Sequence, residues 1–333
     1  MIKTVVGSYP AITCKPEKPT EKIKDLLGLY DKYECGVKRA VQDQLNAGID
    51  IVSDGQIRGD MIEIFINKMY GFDGRMVTGK IEYAEPITLK DMKYASRLIR
   101  RKQATDTSLT GSPEKKSGKG IKGIITGPCT IASSIRVEQC YSDKKDKNLI
   151  YDLAMALRKE ALTIEKHVTM IQIDEPILST GYYDLDLARN AVGIITKDIT
   201  VPTAMHVCGD IMSVSEELNE FNVDILDHEF ASNRKNLAIL ENIKKDIGFG
   251  CVDTKQKTVD SVDAIKNLII EGIEILKNRD DIDRKKAIKN MLDKHVLIDP
   301  DCGMRLLPID SAYQKLKNMV TAAEEVEREM KGC

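Results

Sequence analysis

Three short segments of this 333-residue chain carry side chains suited to metal chemistry. His206-Val207-Cys208-Gly209-Asp210 closes one apolar run, Asp227-His228-Glu229-Phe230 closes the next, and Asp299-Pro300-Asp301-Cys302-Gly303 closes the last. Imidazole and thiolate are the preferred ligands of zinc, and a carboxylate can complete the set. Side chains at i and i+2 of an extended strand point the same way, so His206 and Cys208 can share one ion. Cys302 reaches the same place if its segment ends a neighbouring strand. The competing reading of an isolated His-x-Cys pair is two satisfied core residues. A DPDCG segment after a second buried strand weighs against it.

The elements that must position these residues form a repeating pattern. Short runs rich in Val and Ile, each ending in polar residues or glycine, occupy residues 2–9, 49–55, 121–129, 168–176, 201–209, 223–230, 247–253 and 295–303. Nearly continuous apolar runs are typical of strands buried on both faces of a parallel sheet. Apolar residues at helical spacing recur between them, at 36–47, 149–166, 211–220, 237–244, 259–277 and 312–330. Strand and helix alternate, which predicts βαβ units with right-handed crossovers. Eight strands predict an α/β fold, a (β/α)8 TIM barrel, as a single domain over residues 1–333. A doubly wound open sheet is the competing arrangement. The barrel has a checkable signature, because its working residues sit at the C-terminal ends of the strands.

Two stretches depart from the repeat. Residues 56–100 exceed a plain helical connection and predict a rim excursion after strand 2, with a hairpin. Residues 104–120, polar and rich in Gly, Ser and Lys, predict a mobile surface loop before strand 3. The charged stretch 278–294 predicts a solvated helix.

Composition sets outer bounds. Hydrophobic residues are 42% and charged residues 31%, which excludes wholesale disorder. Fifty basic against 52 acidic residues, a formal net charge of −2, leave no electrostatic footprint of a nucleic-acid binder. No apolar run approaches the ~18–20 residues of a membrane span. The first residues lack a signal-peptide layout, so a cytoplasmic enzyme is expected. Eight cysteines occur without a C-x-x-C pair, and in such a chain reduced thiols or metal ligands are expected rather than a disulfide framework.

Ordered segments along nearly the whole chain resemble the catalytic domain of the cobalamin-independent methionine synthase family. They are VVGSYP at 5–10, DGQIRGDMIEIF at 54–65, TGPCT at 126–130, QIDEP at 172–176, HVCGD at 206–210, HEFASNR at 228–234, IGFGCVD at 247–253 and DPDCG at 299–303. Each alone is weak, and their order makes them specific. The resemblance implies a methyltransferase whose zinc is held by His206, Cys208, Glu229 and Cys302. His228, next to Glu229 in a strand, then points away from the metal. Gly7 and Ser8 match the segment that holds the substrate carboxylate. Asp174 matches the acid facing the substrate amino group, with Glu175 assisting. The chemistry is coherent: zinc binding deprotonates a thiol that is otherwise a poor nucleophile at neutral pH.

Three departures from the family pattern matter. The chain has about half the length of the bacterial and plant enzymes and resembles the short, single-barrel archaeal members. A histidine implicated in acid catalysis with the folate donor is replaced by Lys255, and Trp is absent altogether. Both changes point away from methyltetrahydrofolate, whose amine leaving group needs a proton, and towards a methylcobamide, free or on a corrinoid protein. Lys255 becomes a catalytic candidate, with a solvated lysine as the alternative. A family glutamate that meets the substrate ammonium aligns with Gln56, which carries no charge. Homocysteine is the expected acceptor. Another thiol such as coenzyme M, a retained folate donor, a decayed non-catalytic site and an aldolase-type barrel are the competing readings. Cys129 and Cys251, near strand ends, are rival ligands.

Overall fold

The computed structural model describes residues 1–110, 118–277 and 296–331. In chain order the elements are β1 (Ile2–Lys3), α1 (Pro19–Leu26), α2 (Glu34–Ala47), β2 (Ile51–Val52), α3 (Glu63–Ile66), β3 (Met69–Asp73), β4 (Met76–Tyr83), α4 (Leu89–Thr110), β5 (Gly120–Thr126), α5 (Pro128–Ser133), β6 (Arg136–Val137), α6 (Lys147–Ile164), β7 (Met170–Asp174), α7 (Leu185–Thr196), β8 (Thr203–His206), α8 (Ser215–Leu218), β9 (Ile225–Glu229), β10 (Asp246–Gly250), α9 (Val262–Lys277), β11 (Val296–Asp299) and α10 (Ile309–Lys331). Eight strands form one sheet in the order β1-β11-β10-β9-β8-β7-β5-β2. Every pairing in it is parallel. A parallel bridge from Thr4 to Ile51 joins its two ends. The sheet is therefore a closed (β/α)8 barrel, and the open doubly wound sheet is excluded. Each of the eight apolar runs read from the sequence supplies one of its strands.

The barrel interior is built in layers that follow the two-residue period of the strands. Met170, Ala204, Ile225 and Leu297 form an apolar plug, with Ile2 and Ile51 against it. Two residues further along three of these strands come Gln172, Asp227 and Asp299, which with Lys122 make a buried polar layer. Two further again come Asp174, Glu229 and Asp301. Gly248 on β10 makes room for this arrangement, since a Cβ there would lie 2.7 Å from the Asp227 Cγ. The strands thus turn polar as they run towards their C-terminal ends.

The outer shell is made of amphipathic helices. In α6 Leu149, Ile150, Leu153, Ala154, Leu157, Ala161 and Ile164 are buried at helical spacing. Asp146 caps its N-terminus by accepting from the Asn148 N–H.

The rim excursion contains the expected hairpin: β3 and β4 pair antiparallel, and β6 adds a third strand. One buried carboxylate fastens it to the barrel. Glu160 on α6 accepts from the Ile87 and Thr88 N–H groups, the Thr88 hydroxyl and the Tyr83 hydroxyl, all at 2.8–2.9 Å. Replacing it by Ala would leave several buried donors unpaired. The Glu160→Ala chain is expected to lose about 2–4 kcal/mol of stability in urea unfolding. A loss below about 0.5 kcal/mol would refute this anchoring role.

Two expectations need correction. Helix α4 continues to Thr110, so residues 104–110 are helical rather than loop. Once a helix is nucleated each further residue adds a hydrogen bond, and polar residues can extend it. Residues 111–117 and the charged segment 278–294 lie outside the described residues. Second, Cys14 and Cys35 are not reduced thiols but form a disulfide, with Cα atoms 6.2 Å apart. The segment after β1 folds back, with the Cys14 N–H on the Lys32 carbonyl, and brings the pair together. A separation of 21 residues carries no sign of this in the sequence. No helix among the described residues is long and apolar enough to cross a membrane.

Candidate active site

The polar residues converge at the C-terminal mouth of the barrel, where this fold places chemistry. His206 ends β8, and Cys208 follows on the same side. Cys302 follows β11 across the barrel. The ligating atoms of His206, Cys208 and Cys302 lie within 4.8 Å of one another. The two sulfurs are 3.9 Å apart and, unlike the histidine, partly exposed. The hydrogen bond with Cys208 holds the Cys302 thiol well below its usual pKa.

The imidazole is held in one orientation. His206 Nδ1 is 2.9 Å from Asp227 Oδ1, and its Nε2 is buried with no partner. A carboxylate on one imidazole nitrogen commonly fixes the tautomer that presents the other to a metal. An orphaned buried nitrogen is costly unless something completes it. One nitrogen and two soft sulfurs suit zinc. The residues present therefore fit a zinc ion.

Glu229 stands apart from the three-residue group. Its carboxylate is buried at the end of β9, with Oε1 held by Lys255 Nζ at 2.8 Å. Its Oε2 is buried without a partner. Burial works against the Lys255 charge, but Glu229, with Asp301 and Cys208 further off, offsets it and raises the ammonium pKa. Lys255 thus pairs with Glu229 while its side chain stays about half exposed. His228 turns outward, with Nδ1 2.9 Å from the Val207 carbonyl, and burial pushes its pKa down to about 4.

The substrate candidates divide into two kinds. Asp174 on β7 pairs in register with His206. Its Oδ1 accepts from Gln172 Nε2 at 2.8 Å, and burial pushes its pKa up to about 7. A buried acid with no Lys or Arg partner among the described residues suits a ligand that brings a cation. Gly7 and Ser8 lie beside the Cys302 turn: the Ser8 carbonyl accepts from Met304 N–H at 2.8 Å. A Cβ at Gly303 would come within 2.1 Å of Ser8 Oγ, so a larger residue there would push the Ser8 side chain aside. Gln56 adopts a left-handed backbone (φ 48°), unusual outside glycine, and its buried Nε2 has no partner. Its Oε1 is 3.7 Å from where a Gly7 Cβ would stand.

Glu175 is engaged elsewhere. Oε1 accepts from Cys129 N–H, and Oε2 accepts from Thr130 N–H and hydroxyl, at 2.7–2.9 Å. It caps the first turn of α5, and Cys129, buried there, is outside the His206, Cys208 and Cys302 group. Cys251 is also buried outside that group, with its Sγ 3.6 Å from the Asp299 carbonyl.

Sequence reasoning passed over the supports of the site. Asp301 accepts from the N–H groups of Phe230, Ala231 and Ser232 at 2.6–3.1 Å, tying the loop after Glu229 to the turn bearing Cys302. Asp227 was visible as the residue two before Glu229 on a strand, which puts it on the same face.

Comparison with known proteins identifies the family. The sequence profile of the cobalamin-independent synthase catalytic domain matches residues 1–325. The methionine synthase of Methanocaldococcus jannaschii is 59% identical over 324 residues, covering 97% of this chain and 99% of that protein. The methionine synthase of Methanothermobacter marburgensis is 44% identical, covering 98% and 100%. Among solved structures, a B12-independent methionine synthase from Shewanella sp. W3-18-1 in complex with selenomethionine superposes with a TM-score of 0.77 at 21% identity, covering 99% of each chain. At that identity the likeness supports the fold alone. The profile match and the two relatives, spanning nearly all of the chain, establish that it belongs to the cobalamin-independent synthase family, as a catalytic domain.

Proposed function

We propose that this chain methylates the sulfur of homocysteine to give methionine, with zinc held by His206, Cys208, Glu229 and Cys302. Membership of the family makes it an enzyme of the methyltransferase class. The observation that carries the metal reading is His206, whose free buried Nε2 shares one group with two cysteine sulfurs while Asp227 holds its other nitrogen. Zinc would supply the Lewis acidity that keeps a thiol of pKa ~8.5 deprotonated at neutral pH.

The chain's own residues do the binding and orienting. Asp174 receives the substrate ammonium, which restores the charged form that burial disfavours. Gly7 and Ser8 hold the carboxylate beside the Cys302 turn. Gln56 contributes hydrogen bonds without charge. Lys255 gives the Glu229 carboxylate a partner when the metal does not hold it. Glu175 acts at one remove, by fixing α5.

The donor is a methylcobamide, free or presented by a corrinoid protein. Its cob(I)amide leaving group needs no proton, which suits a mouth whose acid-catalysis position is a lysine paired to Glu229. The absence of Trp also removes an indole platform for a pterin. Leu306, four residues after Cys302, is 89% exposed and offers a large donor an apolar contact.

The test is methyl transfer by zinc-loaded protein. Methionine is expected from methylcobalamin and homocysteine, with no comparable rate from methyltetrahydrofolate. Methylation of coenzyme M but not homocysteine would overturn the acceptor assignment. Turnover with the folate alone would overturn the donor.

A further inference from the structure

Beneath the metal group the barrel interior holds a cation that the proposed reaction does not use. The Lys122 side chain on β5 is 1% exposed. Its Nζ is 2.6 Å from Gln172 Oε1 and 3.9 Å from an oxygen of both Asp227 and Asp299. TIM-barrel interiors are mostly filled by branched apolar side chains. An ammonium there is a costly placement that asks for a reason.

Two paths lead upward from it, one beginning with an ion pair and one with a hydrogen bond. The first passes through Asp227. Lys122 approaches its Oδ2, while Oδ1 meets His206 Nδ1 at 2.9 Å and leaves Nε2 for the metal. The second passes through Gln172. An ammonium can only donate, so it takes the amide oxygen of Gln172. That choice turns Gln172 Nε2 towards Asp174 Oδ1, at 2.8 Å, and the Val6 carbonyl, at 2.9 Å. The amide cannot flip without placing its own N–H group against the ammonium. Asp299, the third neighbour, lies three residues before Cys302 on the chain.

We propose that Lys122 is the positioning residue for both halves of the site, aligning His206 through Asp227 and Asp174 through Gln172. This rests on the zinc reading of the site. A purely structural lysine would affect stability, but it would not change metal affinity and substrate affinity through separable paths.

The experiment uses the full chain carrying Lys122→Met, Lys122→Gln or Gln172→Met. Folding is followed by circular dichroism and zinc affinity by competition with a chromophoric chelator. KM and kcat are measured separately for homocysteine. Wild-type zinc binding is measured first, and its absence would refute the metal reading itself. Given wild-type binding, a folded Lys122 variant is expected to bind zinc about tenfold more weakly or worse and to raise KM. Gln172→Met is expected to raise KM while leaving zinc affinity within about twofold. Unchanged zinc affinity in a folded Lys122 variant would overturn the proposal. Failure of both Lys122 variants to fold would assign the residue to stability alone and overturn it equally.

Discussion

A Cys302→Ser chain is expected to fold, to lose most of its zinc and to transfer no methyl group at a measurable rate. The folding part follows from where the sulfur sits. Cys302 is partly exposed at the mouth, in a turn held by other atoms. Asp301 grips three backbone N–H groups of the neighbouring loop, and Met304 N–H is bonded to Ser8. Replacing sulfur by oxygen leaves those bonds intact. The metal part follows from the donor set. His206 and Cys208 would remain, with Glu229 as the third proposed ligand, and its Oε1 is held by Lys255. Removing even an outer partner of a ligand typically costs ~10–100-fold in metal affinity, and loss of a thiolate ligand should cost at least that. Zinc per chain, measured after purification without chelator, checks the expectation. Wild-type stoichiometry in the folded variant would remove Cys302 from the ligand set.

The barrel was legible because its strands are short, apolar and regularly spaced. The run at 168–176 predicts β7, and the switch from Ile173 to Asp174 and Glu175 places polar side chains at the strand end. What spacing cannot convey is which partner a polar side chain chooses. Asp174 and Glu175 are adjacent in sequence, yet one faces the barrel interior beside Gln172 and the other caps α5. Their divergence is the ordinary alternation of a strand, and it separates a substrate candidate from a helix cap. Lys122 was hidden for the opposite reason. It sits in a run that reads as buried strand, and while Gln172 comes from the neighbouring strand, only closure of the sheet brings Asp227 and Asp299 around it. The Cys14–Cys35 bridge depends likewise on a fold-back that no local pattern records.

An Asp174→Asn chain is expected to keep its zinc and to bind homocysteine about 10–100-fold more weakly, read as a rise in KM. The carboxylate is buried and accepts one hydrogen bond from Gln172, and among the described residues no Lys or Arg pairs with it. Burial holds it near neutrality, with a pKa of about 7, until a cation arrives. An arriving ammonium would make a charge-assisted hydrogen bond in a site screened from water, worth about 1.5–3 kcal/mol. Asparagine keeps the shape and can still accept from Gln172 Nε2 through its oxygen. Its amide nitrogen would then face the ammonium, donor against donor. The metal should be indifferent, because Asp174 is outside the His206, Cys208 and Cys302 group. A thiol of similar length without an amino group provides the control. Its rate should be nearly the same in both chains, so the substitution should remove selectivity for the amino acid rather than reactivity of the sulfur. An equal loss with both thiols would mean that Asp174 serves the metal site or the fold instead.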